Sequence, residues 1–245
     1  MHDEELRAVR RITRRKTLAL IGASGVALLA GARMSRAAGN GDTAGPVCIV
    51  RPAQTEGPFF VDGELQRSDI RADARDGSVK PGVPLRLRFQ IAQGASAACN
   101  PLAGAQVHVW HSDAAGGYSD PGERRASSAS QQFLRGFQLT DASGAAEFLT
   151  IYPGWYQGRA PHIHFKLRLT VAGAATRSRE FTSQLYFDDA LSDRIYAAAP
   201  YAERGRLAVR NADDFIYRGG GEQLLLTAAR DGQGYAAVFA IGVQA

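Results

Sequence analysis

The chain of 245 residues predicts an all-β protein, an antiparallel β-sandwich with long loops that carry its chemistry and little helix. Three observations carry that expectation. Short apolar segments alternate with period two, Gly, Pro, Asp and Ser punctuate them at regular intervals, and only one short stretch reads as helix.

The first element is not part of the sandwich. Thr13-Arg14-Arg15-Lys16-Thr17-Leu18 precedes an apolar run from Leu18 to Ala32, and Ser35-Arg36-Ala37 offers small residues for cleavage. That layout predicts a twin-arginine export signal over residues 1–37, read by the twin-arginine machinery, and a periplasmic or secreted destination. The run holds three glycines and a serine and falls short of the ~20 residues a spanning helix needs, so no stable membrane anchor is expected after cleavage.

The leader also explains the net charge of +5. Residues 1–37 contain eight of the 29 Lys and Arg but three of the 24 acids, leaving 21 of each sign in the rest. A formally neutral body lacks the electrostatic footprint of a nucleic-acid-binding surface.

Residues 38–47, rich in Gly and Ala, predict a linker, and a single catalytic domain is expected over 48–245. Strands are expected at 84–93, 105–112, 133–140, 146–152, 162–171 and 179–187. The turn Asp141-Ala142-Ser143-Gly144 has hairpin chemistry, as does Asp231-Gly232-Gln233-Gly234 between expected strands at 224–229 and 235–243. The helix candidate is 192–199, stopped by Pro200. Two cysteines remain, Cys48 and Cys99, and in an oxidising compartment a disulfide is the natural pairing.

The chemistry concentrates around Pro161-His162-Ile163-His164-Phe165. On a strand, alternation sends His162 and His164 to one face, a ready pair of metal ligands. Tyr156 stands six residues upstream of His162, and Tyr118 sits in a turn after the strand ending in Trp110-His111. Phenolate oxygens with imidazoles suit a hard, oxidised metal, so Fe(III) is the candidate. Tyr152 is the rival to Tyr156 at the same strand exit. His108 and His111 are expected on opposite faces, in packing or supporting roles, and Trp110 and Trp155 are candidates for walls of a ring pocket.

Gly117-Tyr118-Ser119, Pro153-Gly154-Trp155-Tyr156, Arg159 with His162-Ile163-His164-Phe165, and Gln184-Leu185-Tyr186-Phe187 together resemble the intradiol ring-cleavage dioxygenases. These are relatives of catechol 1,2-dioxygenase and protocatechuate 3,4-dioxygenase. Thr55-Glu56-Gly57-Pro58-Phe59-Phe60 brings the match nearer to a small exported branch. The resemblance implies Tyr118 and His162 as equatorial ligands, Tyr156 and His164 as axial ligands, Arg159 offsetting negative charge on the substrate ring, and Gln184 over the substrate site. It also implies a catecholic substrate, O2, a cis,cis-muconate-type product, and Tyr156 as ligand and base in turn. Among the departures from the family pattern, Arg159-Ala160-Pro161-His162 stands where the family often reads Arg-Pro-Ala-His, and the span from His164 to Gln184 is longer than in the cytoplasmic relatives.

Two other readings make distinct expectations. A cupin-like metalloenzyme needs a Glu shortly beyond His164, where Lys166 and Arg168 stand instead. A non-catalytic exported sandwich that binds carbohydrate or protein through aromatic loops predicts a colourless protein. The oligomer is left open, because a sandwich surface hides its partners in sequence.

Overall fold

Alternating side chains build two facing sheets. In the computed structural model, residues 49–63, 65–94, 99–119, 131–170 and 178–243 are described. The expected export signal, the expected linker and Cys48 lie outside them, and with Cys48 the expected disulfide; Cys99 is buried just ahead of the second strand.

The strands are β1 (Pro84–Gln93), β2 (Asn100–Pro101), β3 (Gln106–Trp110), β4 (Arg135–Leu139), β5 (Ala145–Ile151), β6 (His162–Thr170), β7 (Ser178–Tyr186), β8 (Ala229–Asp231) and β9 (Gly234–Val243). One sheet runs β4-β3-β6-β7, antiparallel throughout. The other runs β2-β1-β9-β8, with β5 also paired to β1.

Between the sheets, Leu85, Leu87, Phe89 and Ile91 of β1 meet Val107 and Val109 of β3 and Ile163, Phe165 and Leu167 of β6 in one core. Phe165 lies 5.4 Å from both Phe89 and Phe239 between ring centroids, so aromatic contacts tie the layers together. Each such ring contributes roughly 1.5–3 kcal/mol by leaving water. Because Ile163 and Phe165 point into this core, His162 and His164 must point out of it, onto the outer face of the four-stranded sheet.

Several local expectations need correction. The Asp141–Gly144 turn has the expected geometry: the Asp141 carboxylate accepts from the Ser143 and Ala145 amides, and Gly144 adopts φ +78. It is nevertheless no hairpin, because β4 pairs with β3 and β5 with β1, so the turn crosses between sheets. Local turn chemistry fixes a reversal of direction but not a pairing partner.

The sandwich is also not wholly antiparallel. β1 and β9, the first and last long strands, run parallel with Leu85 opposite Tyr235. The expected strand at 224–229 is replaced by a 3-10 turn over Gly221–Leu224 and an extended link, with only Ala229–Asp231 paired to β9. Leu224 and Leu226 are nevertheless buried in the core, and the Leu226 amide donates to the Tyr186 carbonyl.

The helix, α1, spans Asp189–Tyr196 rather than 192–199. Asp188 caps it by accepting from the Leu191 amide at 3.0 Å, a stronger start signal than Ser192, whose hydroxyl is spent on Asp188 and Tyr152. Among the described residues no helix is long and apolar enough to cross a membrane.

Candidate metal centre

Register sets the site. His162 pairs with Tyr186 and His164 with both Gln184 and Trp110, so these side chains form a patch on the outer face of the sheet. The Trp110 indole lies on the His164 imidazole at 5.0 Å and 8°. Across this patch runs the segment from Gln54 to Asp62. Gly57, at φ +71, passes so close that a Cβ would stand 3.3 Å from His164 Cε1, and Phe59 stacks on Tyr118 at 4.2 Å.

Tyr118 and Tyr156 come from two loops locked to one another. The Ser112 hydroxyl donates to the Gly154 carbonyl at 2.7 Å, and the Gly154 amide donates to the Asp113 carbonyl at 3.1 Å. This clamp brings the two phenol rings to 5.7 Å, with Tyr118 6.2 Å from the His164 ring. The Tyr156 hydroxyl lies 3.1 Å from His162 Nε2, and His162 Nε2 lies 3.1 Å from His164 Nε2. The structure therefore gathers Tyr118, Tyr156, His162 and His164 into one cluster.

Tyr152 is elsewhere, bonded to the Ser192 hydroxyl at 2.7 Å in the core. His111 is held by Thr150 and the Ser112 carbonyl beyond the end of β3, while His108 stays on the outer face with Gln106 and Phe137. Trp155 carries the Arg204 guanidinium over its ring at 4.8 Å.

The donor set fits a metal ion. His162 Nδ1 donates to the Ala160 carbonyl at 2.6 Å, which fixes the tautomer and leaves a lone pair on Nε2. Two donors bound at right angles to one ion, each at ~2.1 Å, stand about 3 Å apart, which matches both 3.1 Å separations. The Tyr118 hydroxyl is buried without a hydrogen-bond partner. Among the described residues no group of three or more His, Cys, Asp or Glu is placed to hold a metal, so the phenols complete this set.

Electrostatics agree. Burial, then the neighbouring Arg159 charge, holds His162 down at about 3, and burial followed by His162 holds His164 well below the usual histidine range. Both are neutral near neutral pH, the form in which an imidazole can bind a metal. Burial pushes both phenols up, Tyr118 farthest with Tyr156 adding to it, so a strong cation is needed to draw off their protons.

Arg159 flanks the cluster with Nη1 3.4 Å from His162 Nε2, while Nη2 donates to Gln184 Oε1 at 2.5 Å and lies 3.3 Å from the Tyr186 hydroxyl. Gln184 in turn donates to the Thr55 carbonyl at 2.9 Å. Sequence reasoning missed Asp214, which accepts from Arg159 Nε at 2.9 Å. Burial alone would raise its pKa, but the Ala160 amide and the Arg159 charge outweigh this and hold it below the usual carboxylate range. Tyr186 was present in the quoted Gln184–Phe187 motif but unassigned. Lys166 and Arg168, farther along the same face, are ion-paired with Glu56, Glu180 and Asp62.

A stability prediction follows from the two histidines outside the cluster. Burial lowers His111 and His108 to about 4 each. A histidine whose pKa falls on folding adds stability that is complete above its unfolded value near 6.5 and is lost as pH falls towards about 4. For fully buried His111 this is on the order of 3 kcal/mol. The urea midpoint is expected to drop from about pH 7 to about pH 5, and His111→Gln to flatten that drop. A wild-type midpoint that stays level over this range contradicts the assignment.

Comparison with known proteins gives a consistent picture. A family model described as Dioxygenase matches residues 55–213. The protocatechuate 3,4-dioxygenase beta chain of Burkholderia cepacia is 33% identical over 159 residues, 60% of this chain and 66% of that one. The match thus spans a little under two thirds of that relative's length. Among solved structures, an intradiol ring-cleavage dioxygenase from Tetranychus urticae superposes with a TM-score of 0.67 at 25% identity, covering 80% of this chain and 95% of that one. The dioxygenase domain of a dioxygenase carbohydrate-binding protein fusion from Streptomyces sp. SirexAA-E gives 0.57 at 28% identity, covering 80% and 99%.

Proposed function

Since this chain belongs to the intradiol ring-cleavage dioxygenases, we propose that it is an Fe(III)-dependent enzyme that opens a catecholic ring with O2 to a cis,cis-muconate-type diacid. The observation that carries the reading is the convergence of the Tyr156 phenol and two imidazoles at 3.1 Å spacings, with the Tyr118 ring 5.7 Å from that of Tyr156, beside a buried guanidinium. In this reading Tyr118, Tyr156, His162 and His164 would hold the ferric ion.

A ferric ion held there would supply Lewis acidity and accept electron density from a chelated catecholate, making a ring carbon reactive towards O2. The protein's own groups do the rest. Tyr156 is the more accessible of the two phenols, half-buried where Tyr118 is buried, and its Oη takes a proton from the entering catechol. Arg159 offsets negative charge on the ring, an effect that grows where water is excluded. Trp110 and Phe59, stacked on His164 and Tyr118, hold those two rings in place.

The test is optical. Iron-replete protein is expected to be burgundy, with tyrosinate-to-iron(III) charge-transfer absorption in the visible, and to take up oxygen with at least one of catechol, protocatechuate or hydroxyquinol. An iron-replete sample without that band rejects the site. A non-catalytic carbohydrate- or protein-binding role is not favoured, because it gives the buried cluster no task. We further propose export by the twin-arginine route to the periplasm or exterior, on the strength of Arg14-Arg15-Lys16 and the apolar run behind them.

A further inference from the structure

We propose that Asp214 is a positioning residue for ring opening, clamping the Arg159 guanidinium so that its charge faces the ring of a bound catechol. The inference rests on the ferric dioxygenase reading and extends it to a residue 55 positions beyond Arg159.

The carboxylate is fully buried and each oxygen does a separate job. Oδ2 accepts from Arg159 Nε and from the Ala160 amide, both at 2.9 Å. Oδ1 accepts from the Ile216 amide at 2.8 Å and the Tyr217 amide at 3.2 Å, which fixes the carboxylate to its own turn. One oxygen therefore holds the arginine side chain and the backbone next to it, and the other holds the anchor still.

The remaining donors of Arg159 divide by direction. Nη2 is held by Gln184 Oε1 at 2.5 Å, with the Tyr186 hydroxyl at 3.3 Å, and Nη1 faces His162 Nε2 at 3.4 Å. With Nε tied to Asp214 and Nη2 to Gln184, the planar fork has no free rotation, and Nη1 is committed to the centre. A loose arginine would have to be ordered in each turnover; this one is ordered beforehand. None of the four candidate ligands hydrogen-bonds Asp214, so its effect on the reaction runs through Arg159.

Asp214→Asn tests this, because an amide has one acceptor oxygen where the carboxylate has two, and one of the two pairs must break. The substrate is whichever of catechol, protocatechuate and hydroxyquinol the wild type turns over fastest. The expected result is full iron content and an unchanged tyrosinate band, KM within about threefold, and kcat lowered about tenfold to a hundredfold. An unchanged kcat overturns the proposal, as does a variant that folds but loses iron, which would assign Asp214 to the metal site instead.

A second comparison does not depend on the single variant folding. Arg159→Gln is set beside Arg159→Gln with Asp214→Asn, in which two neutral amides face each other. If Asp214 acts through Arg159, the added exchange leaves kcat within about twofold of the Arg159→Gln value. A further tenfold fall would show an independent role and overturn the proposal. A wild-type protein without the visible band defeats the dioxygenase reading itself; a banded wild type whose kcat ignores Asp214 defeats this inference alone.

Discussion

His164→Ala is expected to strip the protein of iron, of its visible band and of turnover while leaving the sandwich folded. His164 projects from β6 onto the outer face, so its removal takes nothing from the core between the sheets. Its Nδ1 has no hydrogen-bond partner and its Nε2 meets only His162, so the fold gains little from its polar atoms. The site loses one of its two nitrogens. Exchanging a residue that merely supports a ligand costs about 10–100-fold in metal affinity, and removing a ligand costs more. Iron per chain, absorbance in the visible and a urea melt on the same sample separate the outcomes. A variant that keeps one iron and its colour would remove His164 from the ligand set, and with it the proposed centre.

What could be read of this centre from sequence depended on how local each signal was. His162 and His164 were legible because a two-residue period on one strand fixes their common face with no knowledge of the partner sheet. Tyr118 and Tyr156 have no such periodicity, and their motifs marked them only in combination with the histidines. The expectation of strands near 84–93, 146–152 and 162–171 rested on alternation, and the observed strands agree closely with it.

Long-range facts were different. That β5 leaves the Asp141–Gly144 turn to join β1, or that β1 lies parallel to β9, is decided by how the whole core closes. Asp214 sits in a run of 3-10 turns without periodicity, and its neighbours in sequence give no hint that its carboxylate meets Arg159. The segment Thr55-Glu56-Gly57-Pro58-Phe59-Phe60 was legible as a motif but not as a cover. Its contacts with His164, Tyr118 and Lys166 join residues far apart in sequence.

The same dependence on contacts distant in sequence makes Gly154 the position where the smallest change should do the most damage. Gly154 joins the Tyr156 loop to the Tyr118 loop, and a Cβ there would stand 2.2 Å from the Asp113 carbonyl oxygen and 2.6 Å from that of Ala114. Both neighbours are backbone, so neither can rotate away. Gly116 makes the reciprocal approach, its own Cβ position lying 2.3 Å from the Trp155 carbonyl oxygen. Gly154→Ala must therefore spread the loops, breaking the Ser112 and Asp113 bonds that set the two phenols 5.7 Å apart. A displacement of about 1 Å at reacting groups costs on the order of a hundredfold in rate, so turnover should fall at least that far and the charge-transfer band should shift or vanish. Gly219→Ala is the control, since nothing lies within 4 Å of the added carbon. Should Gly154→Ala retain the band position and more than about a tenth of wild-type turnover, the phenols would not owe their placement to the clamp between the loops.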